Sequence, residues 1–168
     1  MSMSMYQAGV PAILQYLANL SAILDKAAAH CAGRKIDPAV LINFRLTPDM
    51  LPFSRQIQIA SDVVKGGAAR LAGVEVPSFP DTEATFDDLK ARIAKTIAFV
   101  KGVTPAQIDG TEAKEITLKS PNGELKFAGS QYLTGFVLPN FYFHVTMAYA
   151  ILRHCGVEIG KNDFLGRT

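Results

Sequence analysis

Leu138-Pro139-Asn140-Phe141-Tyr142-Phe143-His144, continuing through Val145 to Gly156, sets an amide and an imidazole inside a strongly apolar helix. Pro139 suits the first turn of such a helix, where its missing N–H costs nothing, and Gly156 ends it. At about 100° per residue, Asn140, His144, Ala148, Ile151 and Cys155 share one face, flanked by Phe141 and Met147. Tyr142, Thr146, Tyr149 and Arg153 fall opposite. Asn140 and His144 lie one turn apart, the spacing at which two side chains of one helix address the same atom.

Three further helices precede this one. Ile13, Leu14, Leu17, Leu20, Leu24, Ala28 and Cys31 recur every three or four residues, a single stripe on a helix that ends near Gly33. Arg34 to Pro48 is a connector with a short helical turn at Pro38 to Asn43. Met50, Phe53, Ile57, Ala60, Val64, Ala68 and Leu71 form a second stripe that stops at Gly73, a C-terminal cap position. Within it, the Gly66-Gly67 pair permits close helix packing. Thr85-Phe86-Asp87-Asp88 reads as a capping box that opens a third helix through Leu89, Ile93, Ile97 and Val100 to Gly102, with Asp88 and Arg92 spaced to pair.

From there to Gly129 the chain is too long for an idle loop. Glu115 to Phe127 alternates apolar and polar residues around Pro121-Asn122-Gly123, the pattern of a β-hairpin. An Asn122-Gly123 turn pairs Leu118 with Phe127 and Ser120 with Leu125. Ile116, Leu118, Leu125 and Phe127 then share a face that must lie on the helices, because an isolated hairpin is marginal in water. Ser130 to Gly135 starts a short helical turn. The expected architecture is all-α: a four-helix bundle with a small hairpin inserted between helices three and four, one domain across residues 1–168.

Hydrophobic residues make up 49% of the 168 and charged residues 19%, which argues for a folded globule and against disorder. The net charge of +2 is scattered, with no basic run to track a phosphate backbone, so nucleic acid is not an expected partner. Met1 to Gln7 lacks the basic residues of a signal peptide, and no run reaches the roughly 18 consecutive apolar residues of a membrane span. A cytoplasmic protein without membrane association is the expectation. Cys31 and Cys155 form no CxxC and read as free thiols.

No GxSxG, HExxH, Walker A or GxGxxG string is present. Gln56 borders the second stripe, where its amide can reach inward. His30 and His154 sit in last turns of helices, where the macrodipole favours imidazolium. For Asn140 and His144 two readings stand: satisfied hydrogen bonds inside the bundle, with His144 donating to a hairpin carbonyl, or a site. Tyr142, Phe143 and Tyr149 leave aromatic surface to be buried by the hairpin or by a second subunit.

Several segments together carry a family resemblance: Met5-Tyr6-Gln7, Pro48-Asp49-Met50 with Gln56-Ile57-Gln58, Arg92-Ile93-Ala94-Lys95-Thr96, the Leu138 to His144 run, and Ala150-Ile151-Leu152-Arg153-His154. Over essentially the whole chain they resemble a bacterial domain of unknown function, DUF1993, related to the DinB/YfiT-like metalloenzymes. The resemblance implies a DinB-like four-helix bundle, frequently dimeric, with a pocket between helices at one end. In that wider group a divalent metal, often nickel or zinc, is held by one His of helix two and two His four apart on the last helix. Those positions fall near Gln56 and on Asn140 and His144, so one of three ligands is histidine here. Some relatives are thiol-dependent transferases or isomerases acting on bacillithiol or mycothiol.

The leading expectation is a non-catalytic, degenerate bundle that binds a small polar molecule at Gln56, Asn140 and His144, with no cofactor, since amides hydrogen-bond small molecules better than they hold cations. One alternative is a metal-dependent transferase or isomerase in which His144 and a carboxylate such as Asp49 hold nickel or zinc. The other is an interaction protein that forms a homodimer through Tyr142, Phe143 and Tyr149.

Overall fold

The computed structural model describes residues 3–120 and 123–167. Its elements in chain order are α1 (Met5–Arg34), α2 (Pro38–Ile42), α3 (Phe53–Ala72), α4 (Phe86–Gly102), α5 (Pro105–Ile108), β1 (Glu115–Ser120), β2 (Gly123–Ala128), α6 (Gly129–Gln131), a π-helical segment Tyr132–Val137, α7 (Leu138–His154) and α8 (Lys161–Leu165). The four long helices pack in the cyclic order α1, α4, α3, α7, so each touches two of the others. Leu17, Leu20 and Leu24 of α1, Phe53 and Ile57 of α3, Leu89 and Ile93 of α4, and Phe141 and Val145 of α7 meet in the centre. The all-α bundle with an inserted hairpin is therefore the observed fold.

Local signals set most of the helix ends. Thr85 and Asp88 form the expected capping box. Gly73 closes α3 in the left-handed region, φ 73°, and Lys114 donates to the carbonyls of Arg70 and Leu71 at 2.9 Å, a cation on the negative end of the dipole. α1 starts earlier than its apolar stripe, at Met5, because Ser4 and Gln7 build a capping box there. Pro11 lies inside that helix as its seventh residue.

Three expectations are corrected. Asp88 does not pair with Arg92, because its carboxylate is taken by the amides of Ala84 and Thr85 at the cap. The last helix does not begin at Pro139: helical structure runs from Gly129, and the wider π turn immediately before Pro139 accommodates the ring and the missing donor. The buried stripe of α7 is Phe141, Val145, Ala148, Ile151 and Leu152, which leaves Asn140 and His144 half-buried on its margin.

The hairpin is present with a register two residues away from the expected one. Ile116 faces Phe127, Leu118 faces Leu125, and Ser120 faces Gly123. The expected Asn122-Gly123 turn falls partly on residues 121–122, outside the described residues. An even slip keeps Ile116, Leu118, Leu125 and Phe127 on one face. That face meets the π-helical segment: Phe127 lies 5.8 Å from Tyr132 and 5.5 Å from Phe136, centroid to centroid.

The aromatic side of α7 is covered from elsewhere. Tyr142 packs edge-on to Tyr16 of α1, and Tyr149 to Phe164 of α8, so these two rings are engaged within the chain. Phe143 remains 51% exposed. The helical run Gly129–His154 is long and apolar enough by composition to cross a membrane; here Phe141, Val145, Ala148 and Leu152 face the bundle.

Close approach is required where the hairpin joins the last helix. A Cβ on Gly129 would overlap the Thr111 carbonyl oxygen, and one on Gly67 would come within 2.8 Å of Val137. Gly129→Ala is expected to cost about 1–3 kcal/mol from overpacking against backbone, which at this size corresponds to roughly 2–4 °C of melting temperature per kcal/mol. Gly102→Ala, where nothing lies within 4 Å of the added methyl, is the control that should leave the melting temperature unchanged or raised.

Candidate functional site

Gln56 lies one turn into α3, and His144 near the middle of the facing α7. Gln56 is 2% exposed, fully inside rather than at the stripe's edge. Its Nε2 donates to the Leu51 carbonyl at 2.9 Å, a bond that only the amide nitrogen can make. Its Oε1 therefore faces His144 Nδ1, 2.8 Å away, and as an oxygen it can only accept. The proton must sit on His144 Nδ1. Nε2 is left as a lone pair with no partner among the described residues.

Burial lowers the His144 pKa, so the ring is neutral at pH 7. A half-buried neutral imidazole, oriented through Nδ1 and bare at Nε2, is a base or acceptor whose direction is set by the protein. The rim is apolar: Phe143 stands edge-on to His144 at 5.2 Å, and Leu51, whose carbonyl orients Gln56, has an exposed side chain.

Asn140 is one turn before His144, as expected, but is tied elsewhere. Its Nδ2 donates to the Phe136 carbonyl at 2.6 Å, a back-bond to the preceding turn. Its Oδ1 has no partner among the described residues. The structure thus joins Gln56 to His144 directly and places Asn140 beside them on α7 without a bond to either. His144 finds its partner on α3, not in the hairpin, which packs against Tyr132 and Phe136.

The donors do not fit a divalent transition metal. One imidazole nitrogen is open, the Gln56 oxygen already accepts from it, and the third position is an amide. Asp49 is exposed, with its carboxylate accepting from Thr47 Oγ1 at 2.7 Å, which lowers its pKa. Among the described residues no group of three or more His, Cys, Asp or Glu is placed to hold a metal.

A second polar cluster escaped the sequence reading. Arg92 occupies the buried stripe of α4, with 1% of its side chain exposed. Its Nη1 donates to Glu83 at 2.9 Å and to the Pro80 carbonyl at 3.2 Å, and its Nη2 lies 2.9 Å from Asp62 and 3.0 Å from Asp81. Gln58 donates to Glu83, Lys65 pairs with Asp62 and stands over the Phe79 ring, and Arg55 pairs with Asp81. Burial opposes ionisation of Glu83, but the hydrogen bonds from Arg92 and Gln58 outweigh it and hold its pKa below the usual value. The cluster straps the segment between α3 and α4 onto both helices. Its signal was visible as an Arg at an apolar position of the stripe Leu89, Ile93, Thr96, Val100.

The bundle and its inserted hairpin define a DinB-type helical protein. A crystal structure of a DinB family member protein from Shewanella denitrificans superposes with a TM-score of 0.88 at 39% identity, over 97% of this chain and 92% of that one. Residues 5–165 match the model of the domain of unknown function DUF1993, and the chain belongs to that family. Comparison with curated proteins gave no match.

Two measurements test this geometry. Gln56→Leu strands the Leu51 carbonyl and His144 Nδ1 together and should cost about 1–3 kcal/mol in denaturant unfolding. Because the folded His144 pKa is depressed, the unfolded chain binds that proton first. The contribution of the neutral ring is complete above the ordinary histidine value of about 6.5 and is lost as pH falls below it. Stability of His144→Phe should lack this component of the decline between about pH 6.5 and 5, and an unchanged decline would assign it to another group.

Proposed function

We propose that the protein is a DinB-like bundle that binds a small polar molecule, without catalysis, at the α3–α7 seam, with His144 Nε2 as the principal contact and Gln56 as the residue that orients it. The observation that carries this reading is the chain from the Leu51 carbonyl through the Gln56 amide to His144 Nδ1, which fixes the ring and leaves the Nε2 lone pair without a partner among the described residues. Asn140 Oδ1, one turn away on the same helix, adds a second acceptor.

The two acceptors, His144 Nε2 and Asn140 Oδ1, favour a ligand that donates: a hydroxyl, thiol, amine or amide. The exposed Phe143 and Leu51 side chains at the rim suit an apolar portion of the same molecule. The arrangement that holds a metal in the wider group would here hold a hydrogen-bonded organic molecule.

The ring nitrogens of His144 report the outcome directly. In nitrogen-resolved NMR, titration with small alcohols, thiols and amines should move Nε2 while Nδ1 stays bonded to Gln56. His144→Phe should keep the fold and abolish the response. A large loss of stability in that variant, with no Nε2 response to any class in the parent, would remove the reading. Stoichiometric nickel or zinc in protein purified without chelator, lost in His144→Ala, would replace it with the metal-dependent one.

A further inference from the structure

A polar cleft of about 530 Å³ lies between α3 and the hairpin, with a lining that includes Asp62, Arg70, Thr117, Lys119, Tyr132 and Phe136. None of these is a residue of the His144 site. Arg70 is half-buried and has no carboxylate partner among the described residues, unlike Arg92 and Arg55 nearby. Its side chain makes a single bond, Nη1 to Tyr132 Oη at 3.2 Å. An unpaired guanidinium in this position retains donors for a ligand.

Tyr132 completes the chemistry. It is 1% exposed, stacked on Phe136 at 5.7 Å and 16°, so its hydroxyl is held in place. Since that oxygen accepts from Arg70, its own proton is left to donate, and no acceptor for it lies among the described residues. Burial raises its pKa, which keeps the phenol protonated. Thr117 and Lys119, alternate residues of β1, line the edge of the cleft on the hairpin side.

Asp62 is the acidic residue of this lining, and Lys65 at 2.8 Å and Arg92 at 2.9 Å already neutralise it. Gly66 shows that the Arg70 pose is built into the helix. A Cβ there would run into Arg70 Nη1, so the glycine, an unfavourable residue in a helix interior, clears the space the guanidinium occupies.

We propose that this cleft is an anion-binding site for a small organic molecule with an oxyanion head, seated on the free donors of Arg70 and the Tyr132 hydroxyl, with Lys119 adding positive charge at the edge and the body against Leu118 and Phe136. Guanidinium and phenol donors match a carboxylate or a phosphate alike. The apolar wall favours an organic body over the bare inorganic ion.

The test follows the Arg70 Nε–H signal by NMR in the intact protein during titration with benzoate, acetate and inorganic phosphate. Benzoate is expected to give a saturable shift at Arg70 and to bind more tightly than acetate; a phosphate response stronger than benzoate would assign the head to phosphate and the proposal would hold for that head. Arg70→Gln should weaken binding about tenfold or more, as loss of a charge-assisted bond implies. Gly66→Ala should shift the Arg70 signal and weaken binding while the fold persists, since the obstructed atom is the end of a flexible side chain. Lys119→Gln, which removes the charge at the cleft edge without setting like charges opposite Glu124, should also weaken it. No saturable response at about 10 mM, ten times a weak Kd of 1 mM, would overturn the proposal, as would affinity unchanged by Gly66→Ala and Lys119→Gln together.

Discussion

α3 and the last helical run share a seam in which the backbones come close enough that Gly67 has no room for a methyl group beside Val137. That contact sets how the two helices slide along one another. Two polar pairs inherit their geometry from it. Toward the start of α3 the seam brings the Gln56 amide to His144, and toward its end it brings the Arg70 guanidinium to Tyr132. A shift of one turn, about 5.4 Å, would separate both pairs.

The two openings differ in chemistry. At one end the seam presents acceptors, a neutral imidazole nitrogen and an amide oxygen, behind an apolar rim. At the other it presents donors, a guanidinium and a phenol, beside a strand that carries Lys119. On the two proposals above, the ends take ligands of opposite hydrogen-bonding sense, because the residue types change along one helix pair.

Between these ends, the Arg92 cluster has a structural role. A guanidinium buried to 1% exposure is tolerated because three carboxylates and a backbone carbonyl surround it. It ties the Pro80 to Glu83 segment to α3 and α4 and, through Asp62, neutralises the one acid that faces the Arg70 cleft. Packing, strap and cleft are coupled through that single carboxylate.

The amino-acid sequence by itself determined the helices, the capping box at Thr85 and Asp88, the left-handed stop at Gly73, the hairpin and the family, because these rest on periodicity and on residues that act within a few positions of themselves. It also placed Gln56 and His144 among the residues of interest. Only the tertiary structure decided that they bond each other, that Asn140 turns back to Phe136, and that Arg92 abandons Asp88 for Asp62, Asp81 and Glu83. The physical reason is competition. Asp88 is consumed by the cap and Asn140 by a carbonyl one turn before it, while Pro139 is absorbed by a π turn that begins the helix earlier and rotates its buried stripe. Which partner wins depends on what lies across the seam, and no local pattern in the chain encodes that distance.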